Sequence, residues 1–275
     1  MAMTISYLDI NGRRIAAEVR GTGPLVICSP GMGDSRDAYS LLADGLVEHG
    51  FQVALLDLRG HGDSDTGFPA YGDEATAEDL LAAIDAFGTG PVYLAGASMS
   101  AAAAVIAAGR RPDAVRGLLL FGPFVRNGSG GRAAALALRL MLLRPWGPLV
   151  WRFYATSLWK GLGPEAARAR AKESVRLLTR KGRWAAFAAT AAGADHAVVA
   201  PWLPRVTAPS LVVMGEADPD WKDPHAEAEW IAGQLGSEVL MVPAAGHAPM
   251  LEAPGVVTPR VLAFLQEVSD AARRP

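Results

Sequence analysis

Cysteine is almost absent from this chain. Cys28 stands alone among 275 residues, so no intramolecular disulfide can form. It lies in the apolar run Leu25–Cys28, which predicts a reduced, buried core residue rather than a catalytic thiol. Long apolar stretches are also missing, and none reaches the length needed to span a bilayer. Met1 to Arg14 contain no basic segment followed by an apolar run, so no secretory signal is expected and a cytoplasmic location fits. Charged residues make up 20% of the chain and hydrophobic ones 51%, which argues against disorder and suits one large core. No His, Cys and Asp cluster has metal-ligand spacing, so neither a metal nor a cofactor is expected, and no nucleic-acid partner.

Acid is scarce in one region only. The net charge is −2, yet Arg126 to Arg183 hold thirteen Lys and Arg against two acids, Glu165 and Glu173. That segment therefore carries +11 and the rest of the chain −13. Three causes would produce this split. The segment rests on an acidic body, attracts an anionic substrate such as a CoA thioester or a lysophospholipid, or meets an anionic membrane peripherally. The first is favoured because both surfaces belong to one chain.

Short apolar runs alternate with helical stretches. Asn11-Gly12 between Ile5–Ile10 and Arg14–Val19 is a two-residue hairpin signal. Strands are expected at Leu25–Cys28, Val53–Leu56, Val92–Ala95, Gly117–Phe121, Leu211–Met214 and Val239–Val242. Helices are expected near Ala38–His49, Ala75–Phe87, Met99–Arg110, Ala226–Gln234 and Val256–Ala271. The alternation implies an α/β fold, with a mostly parallel, doubly wound sheet covered on both faces. From Val125 to about Pro204 no strand is evident. Helices there are expected near Arg132–Leu143, Pro148–Leu158, Pro164–Thr179 and Arg183–Ala192. The expected division is a core of residues 1–124 and 205–275, with a helical cap, 125–204, inserted after the sixth strand.

Gly96-Ala97-Ser98-Met99-Ser100 lies between a strand and a helix. That is the setting of a nucleophilic serine on a sharp turn, where the residues two before and two after must be small. Ser98 is the candidate nucleophile. Acyl transfer builds negative charge on a carbonyl oxygen, which preorganised N–H groups stabilise. The candidate donors are Met99 and Met32, the latter in Pro30-Gly31-Met32-Gly33 after the third strand. Asp218 follows the strand Leu211–Met214 and is the candidate acid, ahead of Asp220 and Asp223. His247, in Gly246-His247-Ala248-Pro249 after the last strand, is the candidate base. Among the other histidines, His49 ends a helix, His61 reads as structural, and His225 starts a helix and should be exposed. His196 either lines the pocket or makes a surface pair.

These motifs resemble cap-bearing members of the α/β-hydrolase superfamily, which includes esterases, lysophospholipases, thioesterases and cofactor-free haloperoxidases. The matching residues are Pro30-Gly31-Met32-Gly33, Asp57-Leu58-Arg59-Gly60-His61-Gly62-Asp63-Ser64, Gly96 to Ser100, Gly215 to Asp218 and Gly246 to Glu252. Two positions depart from the pattern: Pro30 stands where many relatives have His, and Ser100 where most have Gly. A serine nucleophile separates the chain from relatives that use Asp, such as epoxide hydrolases and haloalkane dehalogenases.

In the expected cap, Arg132 and Arg139 share one helical face, while Leu136, Leu140 and Leu143 occupy another. Aromatics follow. Gly31, Phe124, Trp146 and Trp151 are the expected substrate contacts. The expected function is hydrolysis of a carboxylic ester or thioester with an apolar acyl or alcohol part, anionic if the basic segment attracts it. Perhydrolysis or C–C bond cleavage by the same residues remains open, as does a ligand receptor with slow turnover.

Overall fold

A computed structural model describes residues 5–128 and 131–273, without the side chains of 131–135. Its frame is one eight-stranded sheet in the order β1-β2-β4-β3-β5-β6-β7-β8. The first two strands, β1 (Ile5–Ile10) and β2 (Arg13–Arg20), form the hairpin predicted by Asn11-Gly12. Asn11 and Gly12 both have positive φ, as the tight turn between twisted strands requires. β2 pairs antiparallel with β4 (Gln52–Leu56), and the remaining neighbours are parallel. These are β3 (Leu25–Ser29), β5 (Val92–Ala97), β6 (Val115–Phe121), β7 (Ser210–Gly215) and β8 (Glu238–Val242).

β3, β5 and β7 are buried along their whole length, which explains why they read as continuous apolar runs. One face is covered by α1 (Ser40–Glu48) and α10 (Pro254–Ala271), the other by α2 (Asp73–Phe87), α3 (Met99–Arg110) and α8 (Pro224–Leu235). Cys28 is 1% exposed within the first layer, and burial pushes its thiol pKa far up, so it is inert at neutral pH.

Strand register gathers the strand ends. Ser29 pairs with Gly96, Ala97 with Phe121, Phe121 with Val213, and Gly215 with Val242. The loops after β3, β5, β6, β7 and β8 therefore emerge along one edge. Here open α/β sheets place ligands.

Among its described residues, the segment between β6 and β7 contains helices and turns and no strand. It contains α4 (Gly131–Met141), α5 (Gly147–Leu158), α6 (Pro164–Leu178) and α7 (Arg183–Gly193), with short 3-10 turns. The side chain of Arg132 lies outside the described residues. Trp151, Ala155, Leu158, Trp159, Trp184 and Phe187 bury the inner side of this insert and join the first core layer. The apolar side chains of α5 thus divide between core packing and solvent.

Candidate active site

The elbow after β5 has a local cause. Ser98 adopts φ 55°, ψ −124°, a conformation that a non-glycine residue takes only when its surroundings enforce it. A Cβ at Gly96 would run into the Ser100 carbonyl oxygen, so only glycine fits two residues before the serine. Ser100 does more than stay small. Its buried hydroxyl donates to the Pro30 carbonyl oxygen at 2.6 Å and shares a 2.9 Å bond with the Ser29 hydroxyl. The two positions that depart from the family pattern, Pro30 and Ser100, thus touch each other across the β3 and β5 ends.

The loop after β3 is held from both sides at Gly33. His61 Nδ1 lies 2.9 Å from the Arg59 carbonyl oxygen, an acceptor only, so Nδ1 carries the proton there. Nε2 is then free to accept the Gly33 N–H at 3.1 Å. Burial pushes the His61 pKa down, which keeps the ring in this neutral form. On the other side, the Ser174 hydroxyl of α6 donates to the Gly33 carbonyl oxygen at 2.7 Å and accepts from Trp151 Nε1 at 3.1 Å. Gly33 has φ +82° and meets the Trp151 ring so closely that a Cβ would overlap it. Gly31 packs directly on Ser98, where an added Cβ would lie 3.1 Å from the serine Cβ. Met99 N–H opens α3, where the first N–H groups of a helix have no partner within the helix.

The acid and base loops meet at His247. Its Nδ1 donates to Asp218 Oδ2 at 2.8 Å. Asp220 Oδ2 lies 3.6 Å from the same nitrogen, and the Asp220 N–H donates to Asp218 Oδ1 at 3.0 Å. Burial alone would lower the His247 pKa, but the charges of Asp218 and then Asp220 outweigh it and raise the value to about 9. Asp220 is pushed up, chiefly by burial. Tyr154 of α5 donates its hydroxyl to Asp220, and burial followed by that charge pushes the phenol pKa far up. Glu252 fixes the turn around His247. Its Oε2 accepts from Gly246 N–H at 2.7 Å and from Gly161 N–H at 2.6 Å, and its Oε1 accepts from Ala248 N–H at 2.8 Å. The His247 N–H donates to the Leu158 carbonyl oxygen at 2.7 Å, tying the same turn to α5.

Ser98 and His247 open into one cleft. Gly31, Met32, Asp34, Trp151, Tyr154, Trp159 and Asp220 are among its walls. Among the described residues the lining has no lysine or arginine, and its ionic side chains are Asp34, Asp220 and His247. Arg170 lies behind Asp34, at 2.6 Å from its Oδ1 and over the Trp159 ring.

Two expected substrate contacts lie off the cleft wall. Trp146 is half exposed and absent from the cleft wall, because its indole N–H donates outward to the Leu140 carbonyl oxygen. Phe124 does not line the cleft either. It stacks on Trp221 at 4.6 Å and presents an edge to the His247 ring at 5.8 Å, so it packs behind that histidine. His196 takes the surface-pair option, with Nδ1 2.7 Å from Asp73 Oδ1. His225 is exposed, 3.6 Å from Glu216.

Asp218, Asp220 and His247 also place one ligand atom each within 4.8 Å, a cluster that sequence spacing did not show. Nδ1 at 2.8 Å from a carboxylate donates a proton where an ion would need a lone pair, so the geometry fits a hydrogen-bonded pair better. Tyr154, Ser174 and Glu252 gained no site role from the sequence, and Asp220 entered there as a competitor of Asp218. Of the first three, only Glu252 had a signal there, through its place in the Gly246 to Glu252 motif.

Comparison with known proteins agrees with this architecture. A family model described as serine aminopeptidase, S33, matches residues 22–253. The chain is 32% identical to the polyketide synthase ThaQ of Burkholderia thailandensis over 98% of its own length, which is 13% of that protein. It is 29% identical to the 2-(acetamidomethylene)succinate hydrolase of Mesorhizobium japonicum, over 44% of each. The chain therefore spans a small part of the first relative, and its match to the second covers under half of each protein. Among solved structures, a thermophilic esterase from Thermogutta terrifontis superimposes with a TM-score of 0.83 at 26% identity, covering 96% of this chain and 99% of that one. The chain belongs to the α/β-hydrolase superfamily, in the family described as serine aminopeptidase, S33.

Proposed function

We propose that the protein is a serine hydrolase that cleaves an ester or thioester with an apolar acyl or alcohol part, and that residues 125–204 form its cap. A hydrolase of the ester-bond class accords with the family and its structural neighbours. One observation carries the finer reading: Ser98, on a strained turn, shares a cleft with a histidine whose far nitrogen is held by Asp218 at 2.8 Å.

In this reading Ser98 Oγ attacks the carbonyl carbon while His247 Nε2 takes the hydroxyl proton. Asp218 fixes the tautomer and stabilises the imidazolium. The Met32 and Met99 N–H groups receive the oxyanion. The imidazolium then protonates the leaving alcohol or thiol. Water, deprotonated by His247, cleaves the acyl-enzyme, releasing the acid and restoring Ser98. Trp151, Tyr154, Trp159 and Met250 give the cleft an apolar wall suited to an acyl chain. Similarity to a segment of a polyketide synthase favours a thioester as second reading.

A fluorophosphonate probe tests this directly. Ser98 should label rapidly, and short p-nitrophenyl esters should turn over. Labelling without turnover would support a ligand receptor instead. Turnover by Ser98→Ala would remove the mechanism.

A further inference from the structure

Twelve large hydrophobic side chains are exposed among the described residues, and eight of them fall between 136 and 154. They include Leu136, Leu140, Leu143, Trp146, Leu149 and Phe153, the last 68% exposed. Scattered apolar residues need no explanation, but a concentration on one helical corner does. This is the corner between α4 and α5, and the inner side of α5 is already in the core through Trp151, Ala155 and Leu158. The apolar residues in question therefore form an outer surface that the described residues leave uncovered.

Charge identifies what covers it. Arg139, Arg144 and Arg152 are exposed in the same stretch and have no ion-pair partner among the described residues. No Asp or Glu occurs anywhere from residue 114 to 164. The acidic-body explanation accounts for other basic residues. Arg126 pairs with Glu227, Arg170 with Asp34 and Asp37, and Arg183 donates to the carbonyl oxygens of His61 and Ser64. The substrate explanation is weakened because Arg139, Arg144 and Arg152 do not line the cleft, whose described wall holds no lysine or arginine. A second copy of the chain would set two basic surfaces face to face.

We propose that the α4–α5 corner is a docking surface for an anionic lipid membrane. Leucines, Trp146 and Phe153 enter the head-group boundary, and the arginines extend along their aliphatic stems toward lipid phosphates. The corner adjoins the cleft, because Tyr154 is both 40% exposed and part of the cleft wall. The proposal concerns binding alone and does not depend on the chemistry assigned to Ser98.

Vesicle flotation of the full chain carrying Ser98→Ala separates binding from turnover. The probes are phosphatidylcholine vesicles with and without phosphatidylglycerol. Tighter binding to the anionic vesicles is expected, with the difference lost at high salt, where the Debye length falls to about 3 Å. Replacing Arg139, Arg144 and Arg152 by Gln should weaken binding to anionic vesicles by about fivefold per residue, roughly 100-fold together. Leu140→Glu with Phe153→Glu should remove binding to both vesicle types, while the same pair in the otherwise wild-type chain leaves hydrolysis of a soluble short ester unchanged. Equal affinity for both vesicle types, full binding by the double Glu variant, or no vesicle binding with dimerisation through this corner would each overturn the proposal.

Discussion

The sheet edge and the helical insert contribute to the same cleft in different ways. The sheet supplies Ser98, Asp218 and His247 from loops that begin where paired strands end, so their positions follow from backbone register. The insert supplies a wall and a set of struts. Tyr154 reaches Asp220, Ser174 reaches Gly33, the Leu158 carbonyl receives the His247 N–H, and Gly161 N–H reaches Glu252. Hydrogen bonds in the sheet are cooperative and numerous. The struts are few and rest on single side chains or backbone groups. The contrast teaches that the edge holds the candidate catalytic groups while the insert contacts the loops that carry them.

Several substitutions sharpen that contrast. The largest effect belongs to the sheet edge: Ser98→Ala should abolish fluorophosphonate labelling and cut kcat by roughly 10³-fold or more, with an unchanged circular dichroism spectrum. Asp218→Asn should come next, since the imidazole loses the group that fixes its tautomer, at a cost of roughly 10³-fold in kcat. If Asp220→Asn proved the more damaging, the two acids would have to exchange roles.

The pH profile distinguishes them further. His247 must be neutral to accept a proton, and the two carboxylates hold its pKa at about 9. The rate kcat/KM for a neutral ester should therefore rise with pH through that value. Asp220→Asn removes one of the raising charges, so the midpoint should move down while the high-pH plateau changes little. An unmoved midpoint would mean that Asp220 does not act on the ring.

A strut should matter less. Ser174→Ala leaves the Gly33 carbonyl and the Trp151 N–H without their buried partner, a loss of about 1–3 kcal/mol for each group. If the Met32 N–H is the oxyanion donor, kcat should fall about tenfold with little change in KM, and Ser174→Thr should restore most of it. A change confined to KM would make Ser174 part of substrate binding instead. The smallest expected effect is that of Ser100→Gly at the elbow. Ser100→Gly loses its bonds to Pro30 and Ser29, about 1 kcal/mol of stability by thermal melting, and keeps most activity. Ser100→Leu should inactivate, because the buried position has no room for the added side chain.

The sequence by itself determined the alternation of strands and helices, the Asn11-Gly12 turn, the elbow at Ser98 and the chain order of the three candidate catalytic residues. Each is a local property: apolar runs of strand length, a turn that demands particular residues, small neighbours around one serine. Tertiary structure decided the rest. Asp220 could be named in the sequence as a competitor of Asp218, but its hold on the same nitrogen appeared only when the β7 and β8 loops came together. Ser174 and Gly33 are far apart in the chain, and no periodicity pairs a helix hydroxyl with a distant loop carbonyl. Trp146 and Trp151 belong to one aromatic group in the sequence, yet Trp146 is exposed while Trp151 is buried in the cleft wall. Composition sets how much apolar surface a helix carries. Which side of it is covered depends on helix packing, and packing is settled by contacts between segments that the sequence keeps apart.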